Sequence, residues 1–282
     1  MAFGMLELAG YAPGMPCILH ARATAAARCA PLVAALASLA ALAISQPARA
    51  GFGLPPAIRP VPATLRLESR DDTSPPPAER PLRYGALDRE PCEAELARRE
   101  IPFVPVDEAR GVRFPIRLTG PLHGITFAST EPEARRATSP LEIVDCRLAL
   151  ALDDFSDQLA RHDVVRVVHF SMYRPPPRGW PADRIGTRHA GALAIDVATF
   201  VKRDGSKLDV LRDFHGRIGA TTCGPGAGPH PATSEAIELR EIVCDAAEAR
   251  LFNIALTPDF NWPHRNHFHL EVKAGADTLF VH

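Results

Sequence analysis

The stretch TRHAGALAIDVATFVKRDG occupies residues 187–205 and predicts a turn, a strand and a hairpin in succession. Along Leu193–Val201 the side chains alternate between two faces, which is the two-residue period of a β-strand. One face is apolar, whereas the other carries a single acid, Asp196, among alanines. Asp204-Gly205 fits a hairpin turn that leads into a further strand over Lys207–Leu211.

The flanking sequence adds helices and β-branched segments without a regular βαβ order. Arg147–Arg161 has the 3.6-residue apolar period of a helix, and Val164–Phe170 is short and β-branched, as in a central strand. Further helices are predicted over Glu90–Arg99 and Ser234–Asn253, the latter capped by Ser234, and a last core strand over Phe268–Val272. This order predicts an α+β fold with a small, largely antiparallel sheet and flanking helices.

Composition and the N-terminal segment predict an exported protein. The formal net charge is −1, so no overall field favours nucleic acid. The apolar run Pro31–Ile44 follows basic residues and precedes a small-x-small site, which predicts a signal peptide over residues 1–50, with Met15 as an alternative start. An uncleaved anchor is the alternative, and membrane contact is expected only through this segment. Residues 51–83 are Pro-rich and predict a linker, which leaves residues 84–282 as the folded domain of a periplasmic or secreted monomer.

The cysteines of the predicted mature chain favour disulfides. Cys17 and Cys29 lie in the signal segment, and the remaining four are Cys92, Cys146, Cys223 and Cys244. An even number in an oxidising compartment predicts pairing, and three pairings are possible. Cys92–Cys146 and Cys223–Cys244 are favoured because each joins neighbouring segments, and four buried free thiols are the alternative.

Histidines and one aspartate form a candidate metal site. Three of the eleven histidines lie in His264–His269, and on a strand His267 and His269 share a face. On its own, a His-x-His pair is compatible with two surface histidines that bind no metal. The quoted stretch adds His189 in a small-residue turn and Asp196 on the strand that follows. Two imidazoles and one carboxylate leave a fourth tetrahedral position open, as in catalytic zinc sites, although Mn or Fe also accepts these ligand types.

These motifs carry a family resemblance. His-x6-Asp followed by His-x-His resembles the zinc metallopeptidases that include lysostaphin, the D-Ala-D-Ala carboxypeptidases and dipeptidases, and the penicillin-insensitive murein endopeptidase. From about Cys92 to Val272 the chain resembles the bacterial extensin-like C-terminal domain family more closely. The matching motifs are Cys92-x-x-x-Leu96, Cys146 at a helix start, Tyr173-Arg174, the run HAGALAIDVATFVKRDG, Cys244 and Asn261-x-x-His264-Arg265-Asn266-His267-Phe268-His269-Leu270.

The resemblance implies a fold like that of hedgehog and D-Ala-D-Ala peptidase domains, and a role for each site residue. It assigns one Zn²⁺ ion to His189, Asp196 and His269. It leaves His267 and His264 to activate water or stabilise an oxyanion, and Arg174 to bind a substrate carboxylate or developing negative charge. The alternative for Arg174 is a surface arginine after an edge strand.

The chain also departs from the family pattern. Thr187 stands where a serine is usual, Tyr173 where a cysteine is usual, and two further expected cysteines are missing. Ala220–Ala232, with its own Cys223, is a Gly/Pro-rich loop that resembles an insertion. None of these departures touches an implied ligand.

Two functional hypotheses follow. The first is an exported zinc peptidase that cleaves peptidoglycan stem peptides or cross-links through a metal-activated water. The second is a catalytically inactive, zinc-stabilised module that binds the cell wall, because no glutamate is an obvious base near the final ligand. A proline-rich structural protein is disfavoured because the Pro-rich part spans only residues 51–83.

Overall fold

The computed structural model describes residues 83–282, which contain helices and strands in mixed order. The helices are α1 (Arg89–Arg98), α2 (Glu133–Arg136), α3 (Cys146–Ala160), α4 (Val210–Asp213) and α5 (Ser234–Glu248). The strands are β1 (Phe103–Pro105), β2 (Pro115–Leu118), β3 (Thr126–Ser129), β4 (Ile143–Asp145), β5 (Val164–His169), β6 (Ala194–Lys202), β7 (Lys207–Asp209), β8 (Ile254–Leu256), β9 (Phe268–Glu271) and β10 (Phe280–Val281).

The larger of the two sheets has β6 at its centre. Its strand order is β10-β8-β9-β6-β5-β3, and β7 pairs with the far end of β6. The pairs around β6 are antiparallel, whereas β3 with β5 and β10 with β8 are parallel. A separate three-stranded sheet, β1-β2-β4, is antiparallel. The predicted α+β class with a largely antiparallel sheet is confirmed, and the likeness to hedgehog and D-Ala-D-Ala peptidase domains stays a prediction.

Helix α3 supplies the core beneath the large sheet. Asp145 caps it by accepting a hydrogen bond from the backbone N–H of Arg147 at 3.1 Å. The predicted apolar stripe is confirmed, and its Phe155 makes an edge-on ring contact with Phe200 of β6. Opposite β5, an extra residue of β6 at Ala198 shifts the register. The apolar side chains of β6 therefore face the core, and Asp196 lies on the opposite face.

Several predicted boundaries of helices and strands were wrong, because local hydrogen bonds and backbone angles begin or end these elements at other residues. Helix α5 is capped by Thr233, whose Oγ1 accepts from the Ala236 N–H at 3.2 Å, and not by Ser234. It ends at Glu248 and not at Asn253, because Arg250 adopts a left-handed φ of 53°.

The predicted strand after the hairpin also stops early. It ends at Asp209, because Asp209 Oδ1 accepts from the Arg212 N–H at 3.2 Å and begins α4. The hairpin turn itself is confirmed, with Gly205 at a φ of 87° that favours glycine. Strand β9 is the last core strand, and the short β10 follows it at the edge of the sheet.

The favoured disulfides are both present. Cys92–Cys146 joins α1 to α3, and Cys223–Cys244 joins the Gly/Pro-rich loop to α5. The predicted signal peptide and almost all of the predicted linker lie outside the described residues. Within residues 83–282, no helix combines the length and apolar character needed to cross a bilayer.

Candidate metal centre

A tight turn places His189 at the entrance to β6. The turn Arg188–Gly191 is a single 3-10 turn, and Arg188 and Ala192 flank His189 with left-handed φ angles of 52° and 51°. A Cβ added at Gly191 would collide with the carbonyl group of Gly186. Gly191 therefore permits a close approach of two backbone segments, and the crowded backbone fixes the position of the imidazole.

The pairing of β6 with β9 brings the other two predicted ligands together. Asp196 and His269 are directly opposite each other in the antiparallel register, so their side chains share a face. Asp196 Oδ1 lies 3.0 Å from His269 Nδ1 and 3.0 Å from His189 Nε2. The two imidazole nitrogens are 3.2 Å apart. All three side chains are buried, and their ligand atoms form one cluster.

Hydrogen bonds behind the two histidines decide which nitrogens face the cluster. The Met172 carbonyl oxygen lies 3.2 Å from His189 Nδ1 and accepts a hydrogen bond from its N–H group. Glu271 Oε2 lies 3.4 Å from His269 Nε2 and accepts a hydrogen bond from that N–H group. In the neutral tautomers so selected, Nε2 of His189 and Nδ1 of His269 carry lone pairs directed at each other and at the Asp196 carboxylate. A cation at the centre would interact favourably with both lone pairs and the carboxylate, and carboxylate- or carbonyl-backed histidines are typical of metal sites.

The donor set and its spacing fit zinc. Tetrahedral zinc with bonds of about 2.0–2.1 Å places its donor atoms about 3.3 Å apart. The observed separations of 3.0 to 3.2 Å are close to this value. His189, Asp196 and His269 would therefore be the residues that hold one ion, at the lining of a cleft.

Electrostatics within the cluster follow from burial and these contacts. Burial lowers the pKa of His189, so this imidazole stays neutral and available. Burial also opposes charge on His269, but hydrogen bonds to Asp196 and Glu271 raise its pKa overall. Although burial opposes it, the contacts with His189 and His269 hold the pKa of Asp196 well below its usual range. The cluster thus favours positive charge beside Asp196, and His269 is the ring whose protonated form these contacts stabilise.

The three other predicted site residues border the cluster. His267 Nε2 is 3.3 Å from Asp196 Oδ1, which confirms that His267 and His269 share a face. His264 is held by Asn261, whose Oδ1 accepts from His264 Nδ1 at 2.7 Å. Burial lowers the pKa of both histidines, that of His267 to about 4. Arg174 donates from Nη2 to Asp196 Oδ2 at 2.8 Å and is not an unattached surface arginine.

An open cleft of about 510 Å³ exposes these groups. Its lining combines the histidines, Asp196 and two arginines with the apolar side chains of Ile254, Leu256, Phe260, Pro263 and Phe280. A lining with polar and apolar groups suits a ligand that has both kinds of group.

Sequence reasoning missed Glu271 and Arg188. Glu271 follows His269 by two residues on the same strand, so the two-residue period could have placed it on the ligand face. Arg188 directly precedes His189, and its Nε lies 3.6 Å from the Glu271 carboxylate. Nothing local to its sequence signalled that contact.

Fold and site together define an α+β domain with an open, three-donor candidate metal centre in a cleft. The chain belongs to the extensin-like C-terminal family, because the family described as "Extensin-like protein C-terminus" matches residues 92–279. Searches of curated proteins and of solved structures returned no match.

Proposed function

We propose that this protein is an exported, zinc-dependent peptidase-like hydrolase that acts on peptidoglycan stem peptides or their cross-links. The observation that carries the proposal is the convergence of two imidazole lone pairs and one carboxylate at the wall of an open cleft. Two disulfides are compatible with an oxidising compartment outside the cytoplasm. The motif resemblance to zinc metallopeptidases supplies the reaction class.

The residues around the cluster have distinct tasks in this proposal. Zinc, when bound, polarises a carbonyl group and activates water near neutral pH. His267 is the general base, because its low pKa keeps it neutral and Asn266 Oδ1, 3.0 Å away, accepts from Nδ1, which leaves the lone pair of Nε2 on the side of Asp196 and the cluster. His264, held by Asn261, stabilises developing negative charge or shares the proton transfer. Arg174 neutralises Asp196 and presents further donors to the cleft.

Digestion of purified peptidoglycan by the zinc-loaded chain tests this function. We expect soluble peptide products, identified by mass spectrometry, and a His267→Gln rate about 10²–10⁴-fold lower with zinc still bound. His123→Gln is the matched control, because His123 is half exposed and contacts Asp153 far from the cluster. Absence of any released product over a range of pH, with zinc bound, would count against the proposal.

A zinc-stabilised, catalytically inactive cell-wall-binding module is the second candidate. It is favoured by one observation: among the described residues that line the cleft, there is no glutamate to act as a base. In that case the zinc-loaded chain sediments with insoluble peptidoglycan, zinc removal weakens the association, and neither the parent nor His267→Gln releases products.

A further inference from the structure

Two arginines reach the metal cleft, and their attachments differ. Arg174 is tied to the cluster itself, through the 2.8 Å hydrogen bond from Nη2 to Asp196 Oδ2. Arg188 is tied only at Nε, 3.6 Å from Glu271 Oε2, and its side chain is 68% exposed. Among the described residues, no hydrogen-bond partner meets the two terminal nitrogens of Arg188. These nitrogens are the donors of a fork suited to a carboxylate.

Glu271 links Arg188 to His269 of the cluster. The same oxygen, Oε2, contacts both His269 Nε2 and Arg188 Nε, and Glu271 is 2% exposed. The left-handed φ of 52° at Arg188 further fixes where its side chain leaves the turn. The ion pair at Nε limits the motion of a long, flexible side chain close to its guanidinium group, which lowers the entropy cost of binding through the two terminal nitrogens.

The charge of the cleft favours an anion. Its described lining contains Arg174 and Arg188 as fixed cations and Asp196 as the carboxylate. A divalent ion would add two positive charges, and the positive charge of Arg188 already contributes to lowering the pKa of His264, after burial and His269. Binding in this cleft is therefore electrostatically favourable for an anionic group and unfavourable for a cationic group.

We propose that Arg188, anchored by Glu271, binds a carboxylate of the substrate at the rim of the metal cleft, and that Arg174 instead serves the metal ligand Asp196. This assignment rests on the proposed peptidase function and names the substrate group that the site recognises. The preferred substrate is then a peptide with a free carboxylate near the cleaved bond. Its alkyl groups would contact the apolar side chains of Leu256, Phe260 and Phe280 in the cleft lining.

Two binding measurements on the full chain test the assignment without requiring hydrolysis. Zinc affinity is measured by competition with a chromophoric chelator. Binding of N-acetyl-D-alanine and of its C-terminal amide to the zinc-loaded protein is measured by NMR titration. Arg188→Gln should weaken binding of the acid about 10–100-fold, leave the amide unchanged and keep the zinc affinity. Arg174→Gln should reduce the zinc affinity instead.

Further variants exclude trivial explanations. Arg265→Gln removes a neighbouring exposed arginine that stacks on Trp262, and should change neither measurement. Arg188→Lys keeps the charge but loses the fork, so it should restore only part of the acid's affinity. Loss of acid binding in Arg174→Gln but not in Arg188→Gln, at saturating zinc, would overturn the assignment, as would failure of the parent to prefer the acid over the amide. If peptidoglycan is not hydrolysed but the acid still binds through Arg188, only the peptidase function fails.

Discussion

His189 Nε2 and His269 Nδ1 face each other across 3.2 Å, with Asp196 Oδ1 3.0 Å from each. Backbone and side-chain acceptors behind the rings hold the other two nitrogens, at Met172 and Glu271. Two lone pairs at this distance repel unless a proton or a metal cation lies between them. The pair therefore supports a cation site on geometry that does not depend on the family resemblance.

Glu271→Gln should weaken zinc binding about 10–100-fold, because the amide orients His269 less well and no longer raises its basicity. Glu142→Gln is the matched control: Glu142 Oε2 also lies 3.4 Å from a buried histidine, His169, outside the cluster. That control should lower the melting temperature but leave the zinc affinity unchanged. Equal zinc affinities for Glu271→Gln and the parent would show that Glu271 does not support the site.

Zinc affinity should fall as the pH is lowered from neutrality. The raised pKa of His269 means that a proton on Nδ1 competes with the ion, and this competition grows with acidity. Chelator competition at a series of pH values measures the effect and the accompanying proton release. A zinc affinity independent of pH from 7.5 to 5.5 would contradict the proposed ligand set.

The metal-free protein should lose stability as the pH falls from about 6.5 to about 4. His267 has an ordinary pKa of 6.5 when unfolded and about 4 when folded, so protons bind the unfolded chain preferentially in this window. Urea unfolding at each pH gives the free energy of unfolding. His267→Gln should reduce the slope over that window, and an unchanged slope would show that His267 is not buried in its neutral form.

Gly191→Ala should destabilise the turn that carries His189 and weaken zinc binding. Its new methyl group would clash with the Gly186 carbonyl, so the backbone must shift. We expect this shift to lower the free energy of unfolding by about 1–3 kcal/mol. Gly228→Ala is the control, since nothing lies within 4 Å of a Cβ there. Thermal unfolding with and without zinc distinguishes them, and similar behaviour of the two variants would contradict the close approach at Gly191.

Loss of Cys92–Cys146 should cost more stability than loss of Cys223–Cys244. The sequence separations are 54 and 21 residues, which correspond to about 4 and about 3 kcal/mol of chain entropy. Cys92 and Cys146 are also fully buried, so the paired alanine variant leaves a cavity between α1 and α3. Denaturant unfolding of both double-alanine variants measures the two losses of stability. A larger loss without Cys223–Cys244 would contradict this prediction.

The candidate ligands could be found from the sequence because local patterns place them. Alternation puts Asp196 on the face of β6 opposite its apolar side chains and puts His267 and His269 on one face, and the small-residue turn signals His189. The pairing of β6 with β9 then brings these residues together. For the same reason α3 and the hairpin at Gly205 were predicted closely. The disulfides were favoured by chain proximity alone, and the structure confirms them.

The remaining features depend on contacts between distant segments. The parallel pairing of β3 with β5, the small β1-β2-β4 sheet and the Met172 carbonyl behind His189 have no local pattern. The link from Arg174 to Asp196 likewise exists only after the loop before His189 has folded back. The end of α5 was misplaced because the left-handed turn at Arg250 has no local sequence signal, and Asn253 beyond it accepts a hydrogen bond from the Lys273 N–H, twenty residues further along.

The most direct test of the metal centre is the zinc content of the purified chain beside Asp196→Ala, measured by elemental analysis after dialysis against buffer that contains trace zinc. Asp204→Ala, in the exposed hairpin turn, serves as the matched control. We expect about one zinc ion per chain in the parent and in Asp204→Ala, and almost none in Asp196→Ala. Equal zinc content in the parent and Asp196→Ala would contradict the site.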